Sequence, residues 1–339
     1  MTDAQARKEK RVRMLILALL MLTLLSVLIA LNTGYIRIAP RDVLMTLLGQ
    51  GTDQQKLILF EFRLPRMVVS FLVGMGLATA GAVLQGVARN PLADPGIIGI
   101  NSGASLAVVL FVSFLSSAAV APLYFMPMLA FAGAGAAAVL IYFLAYRRHE
   151  GLSPIRLVLT GVAVDMGIKA AMIVLTLMLE PENFQFVAVW LAGNIWGANW
   201  TFVLALLPWL AVLIPLAYWK APVLNVLSVG EETSTGLGLR LERERRVLLA
   251  AAVGIAAASV SVSGGIGFVG LIAPHLSRRL VGDRYEHIIP VAALIGGLLL
   301  LLADTVSRIL IQPPKITAGI VVAVIGAPYF LYLLAKLED

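Results

Sequence analysis

The chain has no cysteine and only three histidines among its 339 residues. The first absence removes disulfide frameworks, thiol nucleophiles and thiolate metal sites together. His149, His275 and His287 are too scattered to form a ligand set. Charge is also scarce: 13% of residues are Asp, Glu, Lys or Arg, where a soluble domain carries about a quarter. Enzyme signatures are missing too, with no H-E-x-x-H, no G-x-S-x-G and no close set of carboxylates. No Gly-Lys dipeptide occurs, so there is no Walker A loop, and any ATP that drives this chain is bound by another.

What fills the sequence instead is apolar, with 60% hydrophobic residues and a mean hydropathy of +0.93. Lipid offers no partner to backbone N–H and C=O groups, so apolar runs of this length are read as spanning helices. They are expected at roughly residues 14–33, 65–87, 97–117, 123–146, 154–179, 200–219, 247–263, 267–281, 288–307 and 317–336. The third, fifth and eighth are the weakest by hydropathy. Ten spans of about 20 residues use roughly 200 positions, which leaves short loops and no soluble catalytic domain. The reading is an all-α, polytopic membrane protein that forms one domain over 1–339.

Residues 1–13 are polar and basic and precede a long apolar run, which is expected to be a retained first helix with its N-terminus in the cytoplasm. With ten spans, most of the 26 Lys and Arg fall on the side of that tail. This positive-inside bias puts both termini in the cytoplasm and accounts for the net charge of +7 without nucleic acid. Trp190, Trp196 and Trp200 fit an interfacial aromatic belt, and residues 183–199 a short helix dipping into the outer surface.

Residues 63–103 carry polar and helix-breaking groups where lipid would be: RLPR at 63–66, then QGVARNPLADPG at 85–96 and GINSG at 99–103. Irregular backbone at membrane depth is tolerated only where protein or a wet cavity satisfies it, so this segment reads as pathway wall. A second Gly-interrupted stretch, SGGIGFVG at 263–270, occupies the corresponding place in the other half with opposite direction. That is the pattern of inverted repeats around a central path.

Within this frame several side chains stand out. Asn90, Pro91 and Leu92 form a rigid turn whose Leu92 could gate the inner mouth or simply end the second span; Ser153 and Pro154 are a second candidate. Asp165 and Lys169, at i,i+4 in mid-span, share one helix face and are either a packing ion pair or path lining. Arg63 and Arg66 before the second span and Arg308 at the end of the ninth lie at the outer mouth, with Asp304 one turn behind to orient Arg308. His275 is expected to pack against the loop at 220–246. That loop carries apolar Leu224, Val226, Leu227, Val229, Leu237, Leu239 and Leu241 among charges, as short surface helices fitting a partner's groove would.

The series RLPR, GAVLQG at 81–86, NPLADPGIIGINSGA at 90–104, GLG at 236–238, GGIGFVGLIAPH at 264–275, LLADTVSR at 301–308 and GIVVAVIGAPYFLYLL at 319–334 resembles the FecCD family of ABC-transporter permeases nearly end to end. The resemblance implies a type II importer permease that carries a ferric siderophore, heme or vitamin B12 across the cytoplasmic membrane, with the siderophore favoured. A secondary transporter acting alone is the rival, and a membrane-embedded enzyme a second. It implies no bound cofactor or metal on this chain, with ATP and Mg held by two partner ATPase subunits. A second permease subunit and an extracytoplasmic substrate-binding protein complete the assembly. By resemblance Val229, Gly230, Glu231, Thr235, Gly236, Leu237 and Gly238 couple to the ATPase, and Arg63, Arg66 and Arg308 meet acidic residues of the binding protein. The charged run LRLERERR departs from the pattern, so the far end of the loop is expected to be solvated.

Overall fold

A computed structural model describes residues 3–33, 39–115, 125–148, 151–195, 197–310 and 316–337. Each of the ten expected spans corresponds to one helix, with bounds that differ by a few residues. They are α1 (Asp3–Asn32), α4 (Leu64–Ala88), α5 (Ile100–Leu115), α6 (Phe125–Ala145), α7 (Pro154–Leu177), α9 (Trp200–Trp219), α12 (Leu241–Ser263), α13 (Val269–Val281), α14 (Tyr285–Leu310) and α15 (Ala318–Leu337). Between them lie α2 (Pro40–Leu47), α3 (Asp53–Lys56), α8 (Pro181–Leu191), α10 (Ala221–Val229) and α11 (Glu231–Gly236). Two-residue strands β1 (Tyr146–Arg147) and β2 (Gly151–Leu152) pair antiparallel ahead of α7.

Among the described residues, seven helices are long and apolar enough to cross a membrane: α1, α4 with its approach from Asp53, α6, α7, α9, α12 and α14. α5 and α15 are shorter apolar helices, and α13 has 13 residues. Charges do not break the fifth expected span: Asp165 and Lys169 neutralise each other within α7 at 2.7 Å. α8 is the short helix expected near 183–199, and Trp196 and His149 lie outside the described residues.

The bundle is built around α4, α12 and α14. In water their packing would follow the hydrophobic effect, but in lipid close approach of backbones takes its place, and small residues allow it. Gly74 faces the Gly296 carbonyl and Gly297, Gly296 faces Ala78, and Gly103 of α5 meets Gly133 of α6, each so closely that a Cβ would overlap its neighbour. Gly81 lies on the carbonyl of Gly270 in the same way, joining α4 to α13.

The two Gly-interrupted breaks meet. The first, 89–99, separates α4 from α5, and the second, 264–268, separates α12 from α13. Pro95 and Asp94 of the first pack on Gly270, just beyond the second. Gly264 closes α12 at φ 68°, and Phe268, with φ 66°, opens α13 in the left-handed region that a side chain normally avoids.

α4 starts irregularly. Residues Leu57–Arg63 form a π-helical run, and Pro65 stands in the first turn of α4. Proline has no N–H and its ring crowds the carbonyl four residues back, so the turn before it widens.

Candidate functional site

At one end of the bundle α10 and α11 replace the expected loop of 220–246. Pro222 at the first turn favours α10, and Gly230 at φ 130° separates it from α11. Ser234 is buried and its hydroxyl donates to the Val226 carbonyl at 2.9 Å, folding α11 back on α10. Gly238 at φ 81° then turns the chain toward α12.

Not every apolar residue of this segment is offered outward. Leu224 and Leu227 are buried within the chain, a correction to their reading as groove-binding groups, because α10 packs on α4 and α14. Val229 and Leu237 are exposed, at 66% and 69%, and Thr235, Gly236 and Gly238 are exposed with them. The run LRLERERR is not a solvated loop end. From Leu241 on it forms the first turns of α12, where Arg243 and Arg246 are exposed but Arg245 is buried and Lys220 pairs with Glu244 at 2.7 Å.

The turn at 89–92 lies beside this surface. α4 ends with Arg89 in the left-handed conformation, φ 48°, and the Asn90 N–H returns to the Gln85 carbonyl at 3.2 Å. Glycine is the usual residue there, so an arginine at that place is held by its contacts. Asn90 Oδ1 accepts from the Leu92 N–H at 2.9 Å and Asp94 Oδ1 from the Gly96 N–H at 2.8 Å. These bonds make 90–96 a rigid double turn, with Pro91 exposed and Leu92 half-buried. Arg89 Nη2 donates to Glu231 Oε1 at 2.7 Å, and Arg245 Nη2 donates to the same oxygen at 2.7 Å. Arg245 also donates to the Leu152 carbonyl, next to Ser153 and Pro154. The sequence reading missed Arg89 and Arg245; the Glu242–Arg245 spacing of i,i+3 was the one visible sign.

A cavity of about 720 Å³ opens between α5, α7 and the two breaks. Asp94, Asn101, Ser102, Ser105, Asp165 and Lys169 supply its polar lining. Asp165 accepts from the Ser102 hydroxyl of α5 and pairs with Lys169, so the same two charges join helices and line the space. Asp94 and the serines of α5 were not singled out from sequence. Their signal was a polar segment entering a hydrophobic run. Among the described residues no group of three or more His, Cys, Asp or Glu could hold a metal ion.

The opposite end holds the three arginines. Arg63 is buried and donates to the Leu31 carbonyl, one of the last carbonyls of α1, which have no partner inside that helix. Arg66 makes a forked contact with Asp304, from Nη2 at 2.7 Å and Nε at 2.9 Å. Arg308 lies against the other oxygen at 3.4 Å. Asp304 binds Arg66 closely and faces Arg308 as a looser ion pair. The Trp200 indole N–H donates to the Phe60 carbonyl at 2.8 Å in the π-helical run, where the unusual turn leaves backbone acceptors to be satisfied. His275 does not pack on the α10–α11 surface; its ring meets Tyr329 of α15 edge-on at 6.0 Å.

The profile of the FecCD transport family matches residues 22–336. The iron(3+)-hydroxamate import system permease protein FhuG of Bacillus subtilis is 48% identical over 91% of this chain and 92% of its own length. The Fe(3+) dicitrate transport system permease protein FecD of Escherichia coli is 35% identical over 92% and 95%. Among solved structures, an inward-facing metal-chelate type ABC transporter superposes with a TM-score of 0.83 at 29% identity, covering 95% of this chain and 98% of that one. Matching segments along almost the whole length, together with the ten helices and their two broken elements, place the chain in the FecCD transport family.

Proposed function

We propose that this chain is the membrane-spanning permease subunit of an ATP-driven importer for a ferric chelate, and that a hydroxamate siderophore is its cargo. The 48% identity with an iron(3+)-hydroxamate permease over nearly all of both chains carries this reading. The polar cavity beside α7 supports it, since a hydrophilic chelate needs a wet, hydrogen-bonding wall at membrane depth.

In this proposal the α10–α11 end faces the cytoplasm in the cytoplasmic membrane, and both termini lie on that side. Val229, Gly230, Glu231, Thr235, Gly236, Leu237 and Gly238 meet one of two ATPase subunits, which hold ATP and Mg. The exposure of Val229 and Leu237 on a segment with glycine hinges suits insertion into a groove. Asn90, Pro91 and Leu92 form the inner gate. Arg66 and Arg308 share one carboxylate, Asp304, and together with Arg63 they are assigned to the acidic face of a substrate-binding protein outside.

A second permease subunit covers α7. Ile155, Leu159, Val162, Met166, Lys169 and Ile173 recur at intervals of four and three and are all exposed. A lysine in the middle of such a stripe would cost about 2.5–3.5 kcal/mol against lipid, whereas facing a partner across a wet path it stays hydrated. Vesicles holding the assembled complex should accumulate radio-iron from a ferric trihydroxamate only with ATP inside and binding protein outside. Uptake that survives removal of ATP would refute the proposal.

A further inference from the structure

We infer that Glu231 is the node through which movement of the α10–α11 segment reaches both inner turns, with Arg89 and Arg245 as the positioning residues that connect it. The inference rests on the reading of 229–238 as the ATPase-facing segment, and adds to it the route inward.

The geometry is specific. One oxygen, Glu231 Oε1, accepts from Arg89 and from Arg245, each at 2.7 Å. Arg89 is the last residue of the α4 cap and the neighbour of Asn90-Pro91-Leu92. Arg245 is buried in α12, and its second nitrogen donates to the Leu152 carbonyl at 3.1 Å, one residue before the Ser153-Pro154 start of α7. Glu242 adds an acceptor for the Leu152 N–H at 3.3 Å. A single carboxylate on α11 thus holds the end of α4 directly and the beginning of α7 through one guanidinium.

Mechanics favour this arrangement. α11 has six residues, and glycines at 230 and 238 with positive φ lie on either side of it, so it can tilt without bending its neighbours. A tilt moves Glu231, the first residue of α11. Charge-assisted bonds hold against such displacement better than apolar contact, which slides. The bond to Arg89 acts on a residue in a conformation that relaxes once released. Pull and release at Glu231 would therefore alter the α4 cap and the α7 entry together.

The test uses the complex reconstituted in vesicles with its ATPase subunits and binding protein, supplied with a radio-iron ferric trihydroxamate. Arg89→Gln keeps a side chain with the same left-handed cost, so the cap is retained. We expect ATPase capture and ATP hydrolysis unchanged, and iron taken up per ATP lower by roughly fivefold or more, the range of coupling between linked sites. Arg89→Lys should restore most of it. Glu231→Gln should lose uptake to a similar extent, and the double variant no more than the worse single, as members of one link do. Wild-type uptake per ATP in Arg89→Gln, or additive losses in the double variant, would overturn the inference. Gly236→Trp separates the two readings. Capture lost there with normal Arg89→Gln transport defeats the node alone, while capture retained in Gly236→Trp defeats the ATPase-facing reading and the node with it.

Discussion

Replacing Asp304 by Asn removes the carboxylate that faces both Arg66 and Arg308 and leaves the shape nearly intact. Asp304 is fully buried, and the side chains of Arg66 and Arg308 are 13% and 10% exposed. At separations of about 3–4 Å and an effective dielectric near 20, each pair attracts by about 4–5 kcal/mol. Desolvation costs several kcal/mol per ion, so the intact cluster contributes little net stability. Loss of the anion is different, because two guanidinia then remain buried and repel each other. Breaking such a pair costs about 3–5 kcal/mol, which corresponds to a midpoint lower by roughly 4–7 °C for a chain of this size. Thermal unfolding of the detergent-purified protein, followed by size exclusion, reads this directly. Replacing Arg66, Asp304 and Arg308 together by Met, Leu and Met should recover most of the loss. An Asp304→Asn midpoint equal to wild type, or a triple variant as unstable as the single, would show that the carboxylate does not hold this end together. The same geometry warns that Arg66→Glu would set a second carboxylate beside Asp304 and unfold this end before any docking could be measured.

Three further outcomes follow from other contacts. Gly81→Val drives a side chain into the Gly270 carbonyl where α4 crosses α13; a loss of about 1–3 kcal/mol or more is expected, visible as a lower yield of monodisperse protein, whereas Gly135→Ala, with open space around it, should be neutral. Asp165→Asn leaves Lys169 without its partner beside the cavity; iron uptake should fall while ATPase capture stays normal, and unchanged uptake would assign the pair to packing. Trp200→Phe removes the indole donor to the Phe60 carbonyl and should cost about 1 kcal/mol, measurable as a small shift in thermal midpoint that Trp219→Phe, an exposed residue of the same helix, would not produce.

Much of this fold was written in hydropathy, because lipid forces every spanning backbone to close its own hydrogen bonds and long apolar runs then have one solution. Of the three segments expected to be weak, the fifth is a full-length apolar helix, α7, while the third and eighth, α5 and α13, are shorter. α13 starts late because glycines precede it, and α5 because the polar turn of 90–96 stands before it. Side-chain partners were not legible. Asp304 lies four residues from Arg308, so local spacing pointed to that pair, yet its forked partner Arg66 is 238 positions away and comes near only through the glycine contacts of α4 and α14. Arg245 looked like one more solvated charge in LERERR. Helical continuation of α12 turns it inward, and a buried carbonyl and Glu231 satisfy it there. Arg89 in a left-handed cap could not be foreseen, since sequence rules place glycine at such a cap.

The central claim, that this chain works as the permease of an ATP-driven importer, meets its most direct test in what accompanies it from the membrane. The tagged protein, solubilised gently from its native membrane and identified by mass spectrometry, should bring a stoichiometric partner carrying a Walker A loop. That partner should be lost when Gly236 and Gly238 are replaced by Trp, with the fold retained. Purification of the chain alone, with full uptake after ATP depletion, would contradict the account and turn attention to Asp165 and Lys169 as an ion-coupling pair.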